Sequence, residues 1–284
     1  MPGRDATAKP ALALLDPHLL YLVRLAYFGG FIGAWSFLII VEGGIPRWGW
    51  PARRWRHIAR NVALFLLAVI VADGIVGFGL FRLGDRLNIQ PNGLLTPLGL
   101  PLWGLVIAGL LACDLAGYAF HRLSHRWRWL WLIHSVHHSD CELDLSTAVR
   151  EHPAEMICDV AILAGTLTVL GIPVWVEGLR AAFLNPQSMA QHANIEYPRW
   201  VERAFGWLLV TPAMHRVHHS PDLLQTNSNY GNMFSIWDRL FGTYRVPDPG
   251  FPEKFGLDRL QGERWQTFPG MLLTPVAART IPTL

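Results

Sequence analysis

The sequence predicts an all-α integral membrane protein with a histidine-rich cap, and three observations carry that reading. Half of the 284 residues are hydrophobic and only 16% are charged, a balance typical of membrane proteins rather than soluble domains. Apolar stretches long enough to cross a bilayer recur through the first half of the chain. Histidine is concentrated beyond them: eight of the 12 histidines fall into three tight clusters.

In chain order, residues 1–18 form an N-terminal segment. It lacks the charged, apolar, small order of a cleaved signal peptide, because Asp16, Pro17 and His18 interrupt its first apolar stretch. Stretches 19–41, 58–81 and 98–120 then each supply the roughly 20 apolar residues of a crossing helix. Arg24 is placed to snorkel to the interface. The loop between the first two spans carries Arg47, Arg53, Arg54, Arg56 and Arg60. The positive-inside rule assigns it to the cytoplasm and the less basic loop 82–93 to the opposite side. The third span returns inward and ends at Trp127, Trp129 and Trp131, read as an interfacial belt.

A fourth apolar region, 154–192, is too long for one span and is broken at Gly171-Ile172-Pro173. Read as a helical hairpin that enters the membrane from the cytoplasm and returns there, it keeps every histidine cluster on one side. The plan is therefore an N-terminal segment 1–18, transmembrane helices 19–120, a histidine-box region 121–245 that includes the hairpin, and a loosely ordered tail 246–284. About three full spans plus the hairpin result. Cys113, Cys141 and Cys158 form no C-x-x-C pair, so neither a zinc ribbon nor a disulfide framework is supported. No nucleic-acid-binding motif is present.

The clusters read HRLSH (His121, His125), HSVHH (His134, His137, His138) and HRVHH (His215, His218, His219). Residues three or four apart share a helix face, so each cluster aims its imidazoles at one point. Eight imidazoles exceed the needs of one tetrahedral zinc and suit two metals. Asn185, Ser188 and His192 also share a face, which makes His192 a ninth ligand. Asp114, Tyr118, His121 and His125 lie along one helix face too. Asp114 is then either an acceptor for the free N–H of a ligating imidazole or a packing acid inside the span. His152 is either a further ligand or a bridge between Arg150 and Glu155. His18 and His57 read as interfacial, Glu42 and Asp73 as span-end or packing groups, and Asp140, Asp222 and Asp238 as groups that orient ligands.

These boxes and their surroundings resemble the fatty acid hydroxylase superfamily, also called the sterol desaturase family, from about 114 to 245. Asp114 and Tyr118 precede HRLSH, and HSVHHS is followed by Arg150, His152, Pro153 and Glu155. Gln191-His192 follows, and the third box continues into NYGNMFSIWDRLFGTY from Asn229 to Tyr244. The resemblance implies an integral membrane, non-haem di-iron oxygenase with O2 as co-substrate, and a catalytic set of Asp114, Tyr118, His152 and Asn229 around the nine histidines. Ligand type alone leaves iron, zinc, copper and nickel open. The chain has no H-E-x-x-H and no Gly-rich nucleotide fingerprint. A zinc protease is therefore unsupported, and the electrons must come from a separate ferredoxin-like, haem or pterin donor.

The expected activity is hydroxylation or desaturation of a sterol, fatty-acyl or related lipid, in a bacterial-type inner membrane with the metal site facing the cytoplasm. Two further readings stand beside it: an ether-lipid monooxygenase of the same family, and a non-catalytic membrane protein that binds or transports zinc. Against transport, the clusters sit at span ends rather than along a midplane path.

Overall fold

The computed structural model describes residues 17–50, 53–77, 93–246 and 254–281, without the side chains of residues 17–20 and 24. Among these residues the regular structure is helical. Helices α1 (Pro17–Gly44), α2 (Arg54–Ala72, extended by a π turn Asp73–Gly77) and α3 (Leu102–Arg126) are long and apolar enough to cross a bilayer. The end of the span expected at 58–81, the loop 82–92, His18 and the Arg24 side chain lie outside the described residues. Helix α4 (Arg128–His138) follows α3 almost directly.

The region 154–192 folds as a hairpin of α5 (Pro153–Leu170) and α6 (Trp175–His192), and α5 is itself apolar and long enough to count as a fourth candidate span. Its turn follows from sequence. Gly171 takes φ 73°, the left-handed conformation that glycine adopts freely. The amides of Gly171 and Ile172 then cap the carbonyls of Thr168 and Leu167. Helix α1 packs on α6, while α2 and α3 pack on α5. Val23, Cys113, Leu163, Leu167, Trp175 and Val176 form the core between them. Outward, Tyr21, Phe28, Ile32, Phe37 and Ile40 of α1 and Leu66 and Ile70 of α2 remain bare. Helices apolar on their outer faces as well as their inner ones are built to meet lipid.

The cap is made of short helices: α7 (Arg199–Phe205), α8 (Pro212–His218), α9 (Leu223–Thr226), α10 (Ile236–Leu240) and α11 (Phe268–Ala277). The arginine-rich loop is tied to it. Arg47 pairs with Glu196 at 2.7 Å, Pro46 bridges to Ile195, Arg53 pairs with Glu263, and Arg60 donates to the Gln266 carbonyl at 3.2 Å. Loop and cap therefore occupy the same side of the molecule.

Three expectations need correction. The tail is not loosely ordered over 254–281. Thr267 caps α11, Met271 packs into a cluster with Leu64 of α2 and Val136 of α4, and Leu260, Ala278 and Ile281 cover Leu132. Trp131 is not part of an interfacial belt, since it is buried with its ring 5.1 Å from that of His125. Trp127 and Trp129 are exposed as expected. His57 is buried beside Asp140 and Asn61 rather than interfacial.

Candidate metal centre

The nine histidines expected as ligands gather into two adjoining groups. His121 and His125 of α3, His134 and His138 of α4, and His218 of α8 each bring a ring nitrogen within 4.8 Å of the others. His137 of α4, His192 at the end of α6, and His215 and His219 of the α8 turn do the same. Helical spacing explains the partition. The pairs 121/125, 134/138 and 215/219 are four residues apart and share a face. The remaining members of the second and third boxes, His137 and His218, are rotated away and serve the opposite group. Helices α4 and α8 thus contribute to both, and the rings of His138 and His219 stack across the divide at 4.7 Å.

In the five-histidine group the protein fixes several tautomers. His121 Nδ1 donates to the Tyr230 carbonyl at 2.9 Å, His218 Nδ1 to the Ser228 carbonyl at 2.8 Å, and His134 Nδ1 to Glu155 Oε1 at 2.5 Å. A neutral imidazole that donates through Nδ1 keeps its lone pair on Nε2. Nε2 of His121, His134, His138 and His218, and both nitrogens of His125, are buried without a partner. Converging orphaned acceptors are costly unless a cation satisfies them, so this set fits a metal ion.

The second group is pressed closer. His192 Nε2 lies 3.2 Å from His137 Nε2, 2.8 Å from His215 Nε2 and 3.1 Å from His219 Nε2. His192 Nδ1 donates to the Ser188 carbonyl at 2.8 Å and His137 Nδ1 to the Arg150 carbonyl at 3.3 Å. Those two rings therefore face each other lone pair to lone pair, a repulsion that a cation between them reverses. Burial, then neighbouring imidazoles, pushes His137, His138, His215 and His219 well below the ordinary histidine range, and burial takes His218 down to about 3. All are held in the neutral form that binds metal.

The other singled-out residues surround this cluster without joining it. Asp114, fully buried, accepts from Met233 N (3.1 Å), Phe234 N (3.1 Å) and Trp237 Nε1 (2.8 Å). Its carboxylate is used up by the segment leading into α10, not by an imidazole as expected. Tyr118 bonds Thr243 Oγ1 at 2.8 Å and stacks on Phe241. His152 lies in neither group: its Nδ1 accepts from Ala154 N and caps α5. Nor does it bridge Arg150 and Glu155. Glu155 is engaged by His134, and the buried Arg150 guanidinium holds Val136 O, Asn61, Ser139 and Gln266.

Asn229 adopts φ 54°, and its side chain bonds Met214 O, Arg245 O and Arg245 N. With Asp238, which accepts from Tyr230 N and Gly231 N at 2.7 Å, it bolts down the turn that offers two carbonyls to His218 and His121. Asp140 accepts from Thr147, Asp222 caps α9, and Glu42 accepts from Leu145 N and Asn194 N while pairing with Arg54. The sequence reading missed Glu155 as the partner of His134. Its signal was present, a glutamate in the first turn of the helix beside the second box. Backbone partners such as Ser228 O leave no sequence signal at all.

A cavity of about 220 Å³ touches His121, His134, His137, His192 and His215. A second, of about 380 Å³, lies between α1, α2, α5 and α6 against Tyr27, Phe31, Phe65, Val69 and Leu163. Both are lined by Glu151, Asp159, Leu184, Asn185 and Ser188, so they adjoin. The space among the membrane helices and the space beside the imidazoles thus share one wall.

Residues 106–243, which hold all nine imidazoles, match the family model described as fatty acid hydroxylase. This chain carries a fatty acid hydroxylase domain. Over 151 residues the chain is 32% identical to the ornithine lipid hydroxylase OlsE of Rhizobium tropici, covering 52% of this chain and 44% of that protein. It is 30% identical to the alkylglycerol monooxygenase of Homo sapiens over 49% of this chain and 30% of that protein. It is 28% identical to cholesterol 25-hydroxylase-like protein 1, member 2, of Danio rerio over 52% of this chain and 53% of that protein. The matched part spans less than half the length of the ornithine lipid and alkylglycerol relatives. No solved structure matches the chain. In the hydroxylase domain the four spaced sequence elements of the resemblance converge in space, because each contributes a ligand-type histidine or the turn that holds one.

Proposed function

We propose that the hydroxylase domain is a membrane oxygenase that uses two iron ions and O2 to hydroxylate or desaturate a C–H bond of a lipid. The observation that carries this is the set of buried, unpartnered imidazole nitrogens converging beside a cavity that shares a wall with the larger one among the membrane helices. One ion would be held by His121, His125, His134, His138 and His218, the other by His137, His192, His215 and His219. When bound, the iron pair supplies oxygen activation strong enough to break an unactivated C–H bond.

The protein's own residues do the rest. Glu155, the Ser228 and Tyr230 carbonyls, the Arg150 carbonyl and the Ser188 carbonyl orient ligand rings. Asn229, Asp238 and Asp114 hold the segment that supplies two of those carbonyls. The apolar wall between α1, α2 and α5 positions the lipid and excludes water. Sterol and fatty-acyl lipids both suit such a wall. Ether-lipid oxidation is the second reading, favoured by relatives named alkylglycerol monooxygenase. A zinc carrier is disfavoured because the ligands are enclosed at helix ends rather than spread along a path.

Catalysis takes two electrons per O2 from a separate ferredoxin-like, haem or pterin donor. Orientation follows the arginine-rich loop: with Arg53 cytoplasmic, the cap tied to it is cytoplasmic in a bacterial-type inner membrane. Residues 121–245, with the hairpin, are the catalytic region on this reading, carried by membrane helices in 19–120.

Lipid mass spectrometry of membranes with intact and deleted gene tests the proposal. The expected change is the gain of one oxygen or the loss of two hydrogens in one lipid class. Identical lipid profiles under aerobic growth would overturn it.

A further inference from the structure

Charged side chains line the larger cavity between the apolar helices: Asp73, Glu151, Asp159, Glu177 and Arg180. Ionisable groups in that setting are costly and mark functional positions. Glu177 and Arg180 neutralise each other through two bonds, Nε to Oε2 at 2.7 Å and Nη2 to Oε1 at 2.8 Å. Glu151 and Asp159 remain on the wall common to both cavities. Neither is hydrogen-bonded to protein among the described residues. Burial and the carboxylates of Glu155 and Asp159 push Glu151 well above the ordinary carboxylate range, a strain that a bound cation relieves. A separate observation also indicates a ligand. Arg180 is only 4% exposed, lines the same cavity, and keeps Nη1 without a partner. Two carboxyl groups without protein partners, next to one unsatisfied guanidinium nitrogen, suit an ammonium group accompanied by an acceptor oxygen.

We propose that the adjoining cavities bind a lipid whose polar head carries an ammonium group, with Glu151 and Asp159 holding the nitrogen and Arg180 taking an acceptor oxygen of the same head. The apolar wall of Tyr27, Phe31, Phe65, Val69 and Leu163 receives the hydrocarbon chain. This rests on the lipid oxygenase reading above and adds the head-group chemistry and the position attacked. Glu151 and Asp159 also line the cavity that touches five imidazoles. The head, not the middle of the tail, is thereby held beside the metal centre.

The test is binding of octylamine, octanol and octanoate to the metal-loaded full chain in a neutral maltoside detergent at pH 7.5, read by tryptophan fluorescence. Octylamine is expected to bind about tenfold more tightly than the other two, the scale of one charge-assisted hydrogen bond. Glu151→Gln and Asp159→Asn should each erase most of that preference, with octanol affinity and metal content unchanged. Asp159→Lys, which places an ammonium in the cavity, should abolish it. Equal wild-type affinities, a comparison that needs no variant, would overturn the proposal, as would a preference that survives Asp159→Lys.

Oxygen-dependent conversion measured in the same samples separates the two readings. Amine preference without any lipid oxidation would remove the oxygenase and leave this site. Oxidation of lipids without amine preference would do the reverse.

Discussion

The two histidine groups are built differently although they share two helices. The five-histidine group draws on α3, α4 and α8, and three of its rings are locked by Glu155 and by carbonyls of the bolted 228–231 turn. Its Nε2 atoms converge without touching. The four-histidine group joins α4 and α8 to the end of the hairpin at His192, has two locked rings, and crowds its nitrogens to 2.8–3.2 Å. On the two-ion reading proposed above, the same H-x-x-H-H pattern yields one group already shaped for an ion and one that would need the ion to hold it. The first should bind metal more tightly, and the second should yield first.

The largest expected effect comes from the better-built group. His218→Ala removes a fixed ligand, and turnover should drop to background with metal content falling by at least one ion per chain, measured by elemental analysis. Asp114→Leu is next, because it strands three donors in a buried place at about 1–3 kcal/mol each. Its thermal transition should fall sharply, whereas Asp114→Asn, which still accepts, should lose far less. Equal stability of the two would remove the bracket role for Asp114.

Glu155→Gln leaves His134 in place but weakens its orientation. Activity or metal affinity should drop about 10–100-fold, the scale of such outer partners. The matching change in the weaker group, Ser188→Ala, leaves the backbone carbonyl that holds His192 intact and should change metal content little.

Sequence alone revealed the helical membrane character, the hairpin and the nine histidines, because apolar length and i, i+4 spacing are local properties. The division of the histidines was also latent there, since His137 and His218 break the four-residue pairs of their boxes. What stayed hidden depends on distant parts meeting. Asp114 shares a face with His121, yet its partners are 119–123 residues away. His152 sits in a histidine-rich motif, yet it follows the bend that starts α5 and caps that helix. The tail looked loose because Pro269 and Pro275 interrupt its apolar run, but its Met271 fills a gap between α2 and α4.

Smaller in effect is the pH response of metal-free protein. His137, His138, His215, His218 and His219 are neutral when folded, while unfolded histidine titrates near 6.5. Between that value and about 3 for His218, the unfolded chain binds more protons. Stability therefore falls as pH drops below about 6.5, by roughly 1.4 kcal/mol per unit for each such histidine. Thermal unfolding at pH 7.5 and 5.5 should show the lower transition at 5.5, and a flat profile would contradict neutral burial.

The most direct test of two unequal centres is iron content during chelator titration of the reconstituted protein, with His215→Ala alongside wild type. Two ions per chain, lost in two separate phases, are expected for wild type. His215→Ala should hold one ion that leaves with the slower phase. A single ion in wild type, or loss of both ions in one phase, would contradict the account.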